Sequence, residues 1–276
     1  MRPRGYVHAA AFDELIDTLA AAFATLGVPV EIVHGEPLSD GIVSFVFGAH
    51  LLPPEAALPR SSVIMNFEQF QSGIFARRPH YIELLRTHRV LDYSARNVAW
   101  IRAQTGNPRV LQLKIGAVPA RASIPPVAAQ DIDVLFYSSI NARRQAILDG
   151  IAAAGLHVEA VTGVYGEESD RLIARAKLVL NVHYYDDKIH ELVRTSHLLA
   201  NRKAVVSECD EDTEIDDDVR EALVAVPYER LVATCIDLAK DDARRRAVEQ
   251  HGFDTFLRRD QTQFLAEVLP LLSSPD

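Results

Sequence analysis

Residues 177–183 read Lys-Leu-Val-Leu-Asn-Val-His, and residues 191–208 read Glu-Leu-Val-Arg-Thr-Ser-His-Leu-Leu-Ala-Asn-Arg-Lys-Ala-Val-Val-Ser-Glu. The first is an apolar run of strand length that ends on polar Asn181 and His183. In the second, Leu192, Val193, Leu199 and Ala200 recur at helical spacing before a short apolar run, 203–207. Strand, helix and strand in that order form a parallel unit, because two parallel neighbours need a crossover long enough to hold a helix. Outward from it the alternation continues. Strands are predicted at 133–138, 157–162, 177–182, 203–207 and 223–226, separated by helices at 141–154, 167–175, 189–201 and 215–222. Three closing helices follow, over 228–238, 242–251 and 253–272.

Five β runs alternating with helices predict a parallel sheet covered on both faces, a Rossmann-like domain. The first part of the chain repeats the theme less cleanly. A helix is predicted over 13–26 and strands over 28–33, 42–47, 62–66, 90–91 and 110–113. Further helices are predicted over 79–88 and from the Ser94 cap to Gly106. Residues 116–130, with Pro119, Pro125 and Pro126, have no strong period and read as a linker. The expectation is therefore an α/β protein of two Rossmann-like domains facing a cleft: a small N-terminal one over 1–115, the linker 116–130, and a C-terminal one over 131–276 with the closing helices. Open parallel sheets bind ligands beyond the carboxyl ends of their strands, so the residues just after each strand are the ones to read for chemistry.

Composition narrows the classes. Of 276 residues 48% are hydrophobic, enough for a real core, and 38 acidic against 29 basic residues give a net charge of -9. Nucleic acid as a partner would need a local basic patch, and none is expected. Cys209 and Cys235 sit in no CxxC pair or zinc spacing and read as core thiols. The alanine-rich stretch near the start is preceded by Asp13, Glu14 and Asp17 rather than by a basic leader, and no uncharged run reaches the roughly 18 to 20 residues of a membrane span; the expected location is the cytoplasm. GxGxxG and GxxxxGK[ST] are both missing, so neither dinucleotide fingerprint nor P-loop is present.

After the first strand of the second half come Ser138, Ser139, Asn141, Arg143 and Arg144, which either approach a phosphate at a helix N-terminus or only cap and solvate that helix. After the second come Tyr165 and Gly166, either a wall for a flat base or a tight turn. The third group holds His183 in a dense polar loop through His190 and Glu191; its spacing matches no standard metal motif, so no metal site is assigned. On the next helix Arg194, Thr195, Ser196 and His197 fall in the turns expected to face the cleft, where an arginine can clamp a diphosphate. Glu208 ends the following strand.

The run from Arg194 to Ser207, with the strand before it, resembles the nucleotide-sugar-binding half of GT-B glycosyltransferases of the "glycosyl transferases group 1" kind, over residues 131–260. In that family a strand with a polar end leads into a helix bearing R-[ST]-x-E-x-x-A-x-G. Here His197 stands at the glutamate that binds ribose and Arg202 at the glycine, and the amino terminus lacks a glycine-rich turn after a first strand. The first half matches in layout, with Asn66-Phe-Glu-Gln69 and Asp92-Tyr-Ser-x-x-Asn97 as its cleft loops.

The resemblance implies metal-independent transfer of a sugar from a nucleotide-diphosphate sugar to an acceptor (glycan, lipid-linked sugar or protein), in bacterial polysaccharide or glycoconjugate synthesis, with no cofactor besides the donor. Arg194 would hold the departing diphosphate with Ser139 and Arg143 or Arg144, Tyr165 and Gly166 would border the base, and His197 or Glu208 would reach the ribose. His8, Glu68 and Asp92 are the candidate bases toward the acceptor hydroxyl. The competing expectation is a catalytically degenerate relative that serves as a sugar-nucleotide sensor or an interaction partner.

Overall fold

The computed structural model describes residues 1, 7–35, 38–70, 72–118, 124–125 and 127–272, with residues 7–9 described in backbone only. It divides into two units, Met1–Ile115 with Gln261–Asp276, and Gly116–Asp260.

Unit 1 begins with a 3-10 turn, Val7–Phe12, that leads into α1 (Asp13–Thr25). Its sheet is parallel, in the order β1 (Ser44–Phe47), β2 (Ser62–Asn66), β3 (Arg89–Asp92), β4 (Val110–Gln112). Every crossover steps the same way and such crossovers are right-handed, so the connecting helices fall on one face. There α2 (Ile74–Arg77), α3 (Pro79–Thr87) and α4 (Ala95–Thr105) bring Phe75, Tyr81, Leu85 and Ile101 onto Val46, Ile64, Val90 and Val110. Pro79 opens α3 without losing an intrahelical bond. Ser94 caps α4 by accepting from the Asn97 N–H, and Gly106 ends it at φ 69°. Met65 and Leu91, one residue along their strands, line a small cavity with Leu15 and Leu19 of α1 and with Gln261.

The predicted strand at 28–33 does not form. Residues 28–33 make no ladder, and Val28, Val30 and Ile32 are exposed. Their alternation imitates a half-buried strand, but Pro29 has no N–H to offer a ladder. The next predicted strand is shorter than 42–47: Ile42 and Val43 are exposed, and pairing starts at Ser44.

Unit 2 runs β5 (Ile132–Tyr137), α5 (Ala142–Ala153), β6 (Val158–Val161), α6 (Glu167–Arg175), β7 (Ala176–Asn181), α7 (Leu192–Ala200), β8 (Ala204–Glu208), α8 (Asp217–Ala222) and β9 (Val224–Val226). Two further helices, α9 (Leu231–Lys240) and α10 (Asp242–Phe256), complete it. All five strands are parallel, in the order β6-β5-β7-β8-β9. Val134, Phe136, Leu178, Leu180, Ala204 and Val206 form one sheet face and bury α5 through Ile147 and Ile151, and α9 through Leu231, Cys235 and Leu238. This is the doubly wound order in which the winding reverses between the first and third strands, and ligands bind beyond the strand ends at that reversal. Here it falls between β5 and β7.

Two expected boundaries move. The described part of 116–130 is no free linker but belongs to unit 2: the Ala117 N–H donates to Arg259 O (2.7 Å), the Ile124 N–H to Asn201 Oδ1 (2.9 Å), and Gln130 Nε2 to Ala176 O (3.0 Å). Pro119 and Pro126 lie outside the described residues. At the other end, α10 continues past the expected break near residue 252, and the last helix, α11 (Gln261–Leu272), groups with unit 1, where it meets α1.

Candidate functional site

In unit 2 the residues after β5, β7 and β8 converge on two carboxylates, Glu208, which is buried, and Glu191, which is half-buried. Asn141 caps α5 by accepting from the Arg144 N–H (2.9 Å), so Arg143 and Arg144 lie in the first turn of the helix after β5. Arg144 is 1% exposed. Its Nη1 donates to Ser138 Oγ (2.9 Å) and Ser139 O (2.8 Å), and its Nη2 to Val182 O (2.5 Å) and Glu191 Oε1 (2.5 Å). Its guanidinium lies over the Phe136 and Tyr184 rings, and burial pulls its pKa down, partly offset by Glu191.

The other oxygen of Glu191 accepts from Arg194, which also donates to Asn181 Oδ1 (2.5 Å) and to Tyr137 O (3.4 Å). One carboxylate at the start of α7 thus bridges two guanidiniums. Burial works to raise the Glu191 pKa, but Arg194 and Arg144 together hold it below the ordinary value. The second carboxylate, Glu208 at the end of β8, is 1% exposed. It accepts both terminal nitrogens of Arg143 and the His183 N–H (3.0 Å). Arg143 lies 4.0 Å over the Tyr228 ring, and the Glu208 hydrogen bonds hold its pKa up. Three guanidiniums and two carboxylates thus interlock beyond the ends of β5, β7 and β8, with Asp186 also acting on Arg143. His183 is buried and neutral in tendency, its pKa lowered by burial, and its Nε2 has no hydrogen-bond partner.

The structure therefore brings together Ser138, Ser139, Asn141, Arg143, Arg144, His183, Arg194 and Glu208 from the sequence reading. It reassigns others. Thr195 is wholly buried, its hydroxyl 2.8 Å from His190 Nε2, so it faces the interior and not a ligand. Ser196 Oγ donates back to Val193 O (2.9 Å). Arg144 is enclosed by its partners and supports the site from beneath. His197 is bound to Asp170 of α6 (2.8 Å) and stands away from the guanidinium cluster's contacts. Gly166, at φ 57° and ψ -135°, caps α6 in a conformation that favours glycine, next to half-buried Tyr165. Glu191 and Asn181 were not chosen from sequence. Their signal is position: the last residue of a strand and the N-cap residue of the helix that follows.

Unit 1 has its own polar cluster at the strand ends. Asn66, the last residue of β2, donates to Asp92 Oδ2 (2.5 Å) and to Glu68 O (3.0 Å), and accepts from Tyr81 Oη (2.5 Å). Asp92 is 1% exposed, and its Oδ1 accepts the Ser94 N–H (2.8 Å); it organises the loop rather than facing outward. Glu68 is more open. His50, which the sequence reading missed, follows β1 and places Nε2 3.3 Å from Glu68 Oε1. Burial lowers the His50 pKa to about 4, with Arg78 and His80 adding to the effect, and burial raises that of Glu68 against Arg77. His8 falls in the opening 3-10 turn, and its side chain lies outside the described ones.

Among the described residues no group of three or more His, Cys, Asp or Glu is placed to hold a metal ion, and no helix is long and apolar enough to cross a membrane.

No family model matches the chain. Two similar sequences are uncharacterized proteins of Acanthamoeba polyphaga mimivirus. L140 is 25% identical over 187 residues, 64% of this chain and 58% of that one, and L138 is 35% identical over 114 residues, 40% of this chain and 13% of that one. The chain spans less than two thirds of these relatives. Solved structures match it at low identity. HepE of Anabaena, in complex with UDP and glucose, has a TM-score of 0.63 at 11% identity and covers 99% of both chains. WaaG, a glycosyltransferase involved in lipopolysaccharide biosynthesis, has a TM-score of 0.59 at 11% identity over 96% of both. TarM of S. aureus, in a complex that includes UDP, has 0.55 at 11% identity, over 77% of this chain and 51% of that one. With its parallel α/β units and these neighbours, the chain carries the GT-B fold of glycosyltransferases.

Proposed function

We propose that the protein transfers a sugar from a nucleotide-diphosphate sugar to a hydroxyl acceptor, with the donor's diphosphate held in unit 2. The observation that carries this is the set Arg143, Arg144 and Arg194 fixed by Glu191 and Glu208 beyond the ends of β5, β7 and β8. UDP stands in the HepE and TarM complexes, which share the fold. A guanidinium has five N–H donors, so pairing with a carboxylate orients it while leaving donors for a ligand.

In this reading the bond between the anomeric carbon and the diphosphate breaks, and Arg194 and Arg143 stabilise the charge that builds on the leaving oxygen. Arg144 holds Glu191 and thereby Arg194. His183 offers its unpartnered nitrogen to the donor, and Tyr165 with Gly166 borders the base. The charge stabilisation comes from arginines, so the proposed reaction needs no metal. The acceptor class and pathway proposed from the family resemblance are a glycan, lipid-linked sugar or protein in glycoconjugate synthesis.

One observation favours a second reading, a sugar-nucleotide sensor. The family's ribose-binding glutamate is replaced by His197, and His197 is occupied by Asp170. Nucleotide release from UDP-, GDP- and dTDP-sugars, with and without EDTA and over a panel of saccharide acceptors, separates the two. Release or transfer that persists in EDTA is expected. Activity lost in EDTA and restored by manganese contradicts the metal-free step. Bound nucleotide with no turnover of any donor replaces transfer by sensing.

A further inference from the structure

Unit 2 carries an ordered aromatic ring beside its arginine set that holding a diphosphate leaves unused. Tyr184, three residues past the end of β7, is 39% exposed, as is Ile140 in the turn between β5 and α5. Asn141 Nδ2 donates to Tyr184 O (3.4 Å) and ties the two turns together across the winding reversal. The Tyr184 ring is held on two sides. Arg144 packs its guanidinium 5.0 Å from the ring centroid, and Tyr185 stands edge-on with centroids 4.9 Å apart. Arg144 is buried and also lies over Phe136, at 5.4 Å, so ring, cation and ring form a column at the end of β5 with Tyr184 outermost. The exposure of Tyr184 therefore lies on the side turned away from Arg144. The same loop gives its backbone to the cations: Val182 O accepts from Arg144 (2.5 Å) and His183 O from Arg143 (3.4 Å). A ring already fixed in this way loses little side-chain freedom when a ligand covers it.

We infer that Tyr184 is a stacking platform for the pyranose ring of the donor, and so a specificity-determining residue for the sugar. The inference rests on the sugar-transfer reading above. Sheet order sets the direction, because β6, β5 and β7 are neighbours in that order, about 4.8 Å apart. A base bordered by Tyr165 and Gly166 lies beyond β6, and a diphosphate on Arg143 and Arg194 lies beyond β5 and β7. The sugar leaves the diphosphate on the side opposite the nucleoside, which brings it to the loop after β7, where Tyr184 stands. A pyranose with equatorial hydroxyls presents a face of C–H groups, apolar and slightly positive, which suits the negative face of an aromatic ring. An axial hydroxyl on that face lifts the sugar off the ring, so the platform reads configuration. No bond forms and no proton moves at Tyr184; it orients the sugar.

The test is calorimetric titration of matched pairs, UDP with UDP-glucose, GDP with GDP-mannose and dTDP with dTDP-glucose, beside methyl glucoside and methyl mannoside alone. Tyr184→Leu keeps apolar cover over Arg144 but removes the flat ring. It is expected to weaken at least one nucleotide sugar about three- to tenfold, the scale of one aromatic stacking contact, and to leave the matching nucleotide unchanged, which also shows the arginine set intact. Tyr184→Phe keeps the ring and is expected to keep the wild-type affinity for both. Equal loss for nucleotide and nucleotide sugar overturns the inference, because the ring then serves the base or only supports Arg144. Nucleotide sugars that bind Tyr184→Leu as tightly as the wild type overturn it too, as does a loss confined to the free glycosides, which places an unattached glycan on the ring. Failure of the wild type to bind any of the nucleotides instead overturns the transfer reading beneath it, and the inference with it.

Discussion

Single residues at the site are defined by their partners more than by their own type. Arg194 reads in sequence as a diphosphate clamp, and in the proposed reaction it serves as one only because Glu191 and Asn181 hold it in place. Glu191 also pairs the wholly buried Arg144. Breaking a buried pair from one side costs about 3–5 kcal/mol, and because the Glu191 side chain is 23% exposed a loss of about 2–4 kcal/mol is expected for Glu191→Gln. Urea unfolding checks it; a change below about 0.5 kcal/mol, the ordinary size for a surface site, contradicts the bridging role. The stability that Glu191 contributes is present above its unfolded-state value of 4.5 and is lost as pH falls through its depressed folded value. The loss should therefore vanish in strong acid.

At the scale of elements, close backbone approach decides which helices join. Gly252 lies within α10, where a Cβ would stand 2.5 Å from Ala222 O at the end of α8 and 3.2 Å from a Leu199 methyl of α7. The sequence reading took Gly252 as a break between helices, since glycine is a poor helix former. The structure uses it for contact with α7 and α8 instead, and the helix continues to Phe256. Gly252→Ala should gain a few tenths of a kcal/mol up to about 1 kcal/mol from helix propensity and lose more from the clash, for a net destabilisation of about 1–3 kcal/mol. A thermal midpoint raised by this substitution contradicts the close approach.

For the whole molecule, unit 2 was legible because each strand is a β-branched or leucine run and each helix follows it at the right period. The winding reversal was not legible, since strand order depends on which neighbours pair. Unit 1 was harder. Val28, Val30 and Ile32 mimic a strand, and α11 is separated from its partner α1 by the whole of unit 2. At the candidate site the cations were readable by residue type and position after a strand. Burial is not readable that way, which is why Thr195 and Arg144 look outward-facing in the sequence and Glu191 and His50 draw no notice there.

Whether the arginine and carboxylate set of unit 2 binds a nucleoside diphosphate, as proposed, is decided by titrating UDP, GDP and dTDP into the wild type and Arg194→Ala in a calorimeter. Binding of at least one nucleotide is expected in the micromolar to millimolar range, about −8 to −4 kcal/mol. Arg194→Ala is expected to weaken that binding tenfold or more, about 1.5–3 kcal/mol for a charge-assisted contact. No binding of any of the three, or binding unchanged in Arg194→Ala, contradicts the proposal.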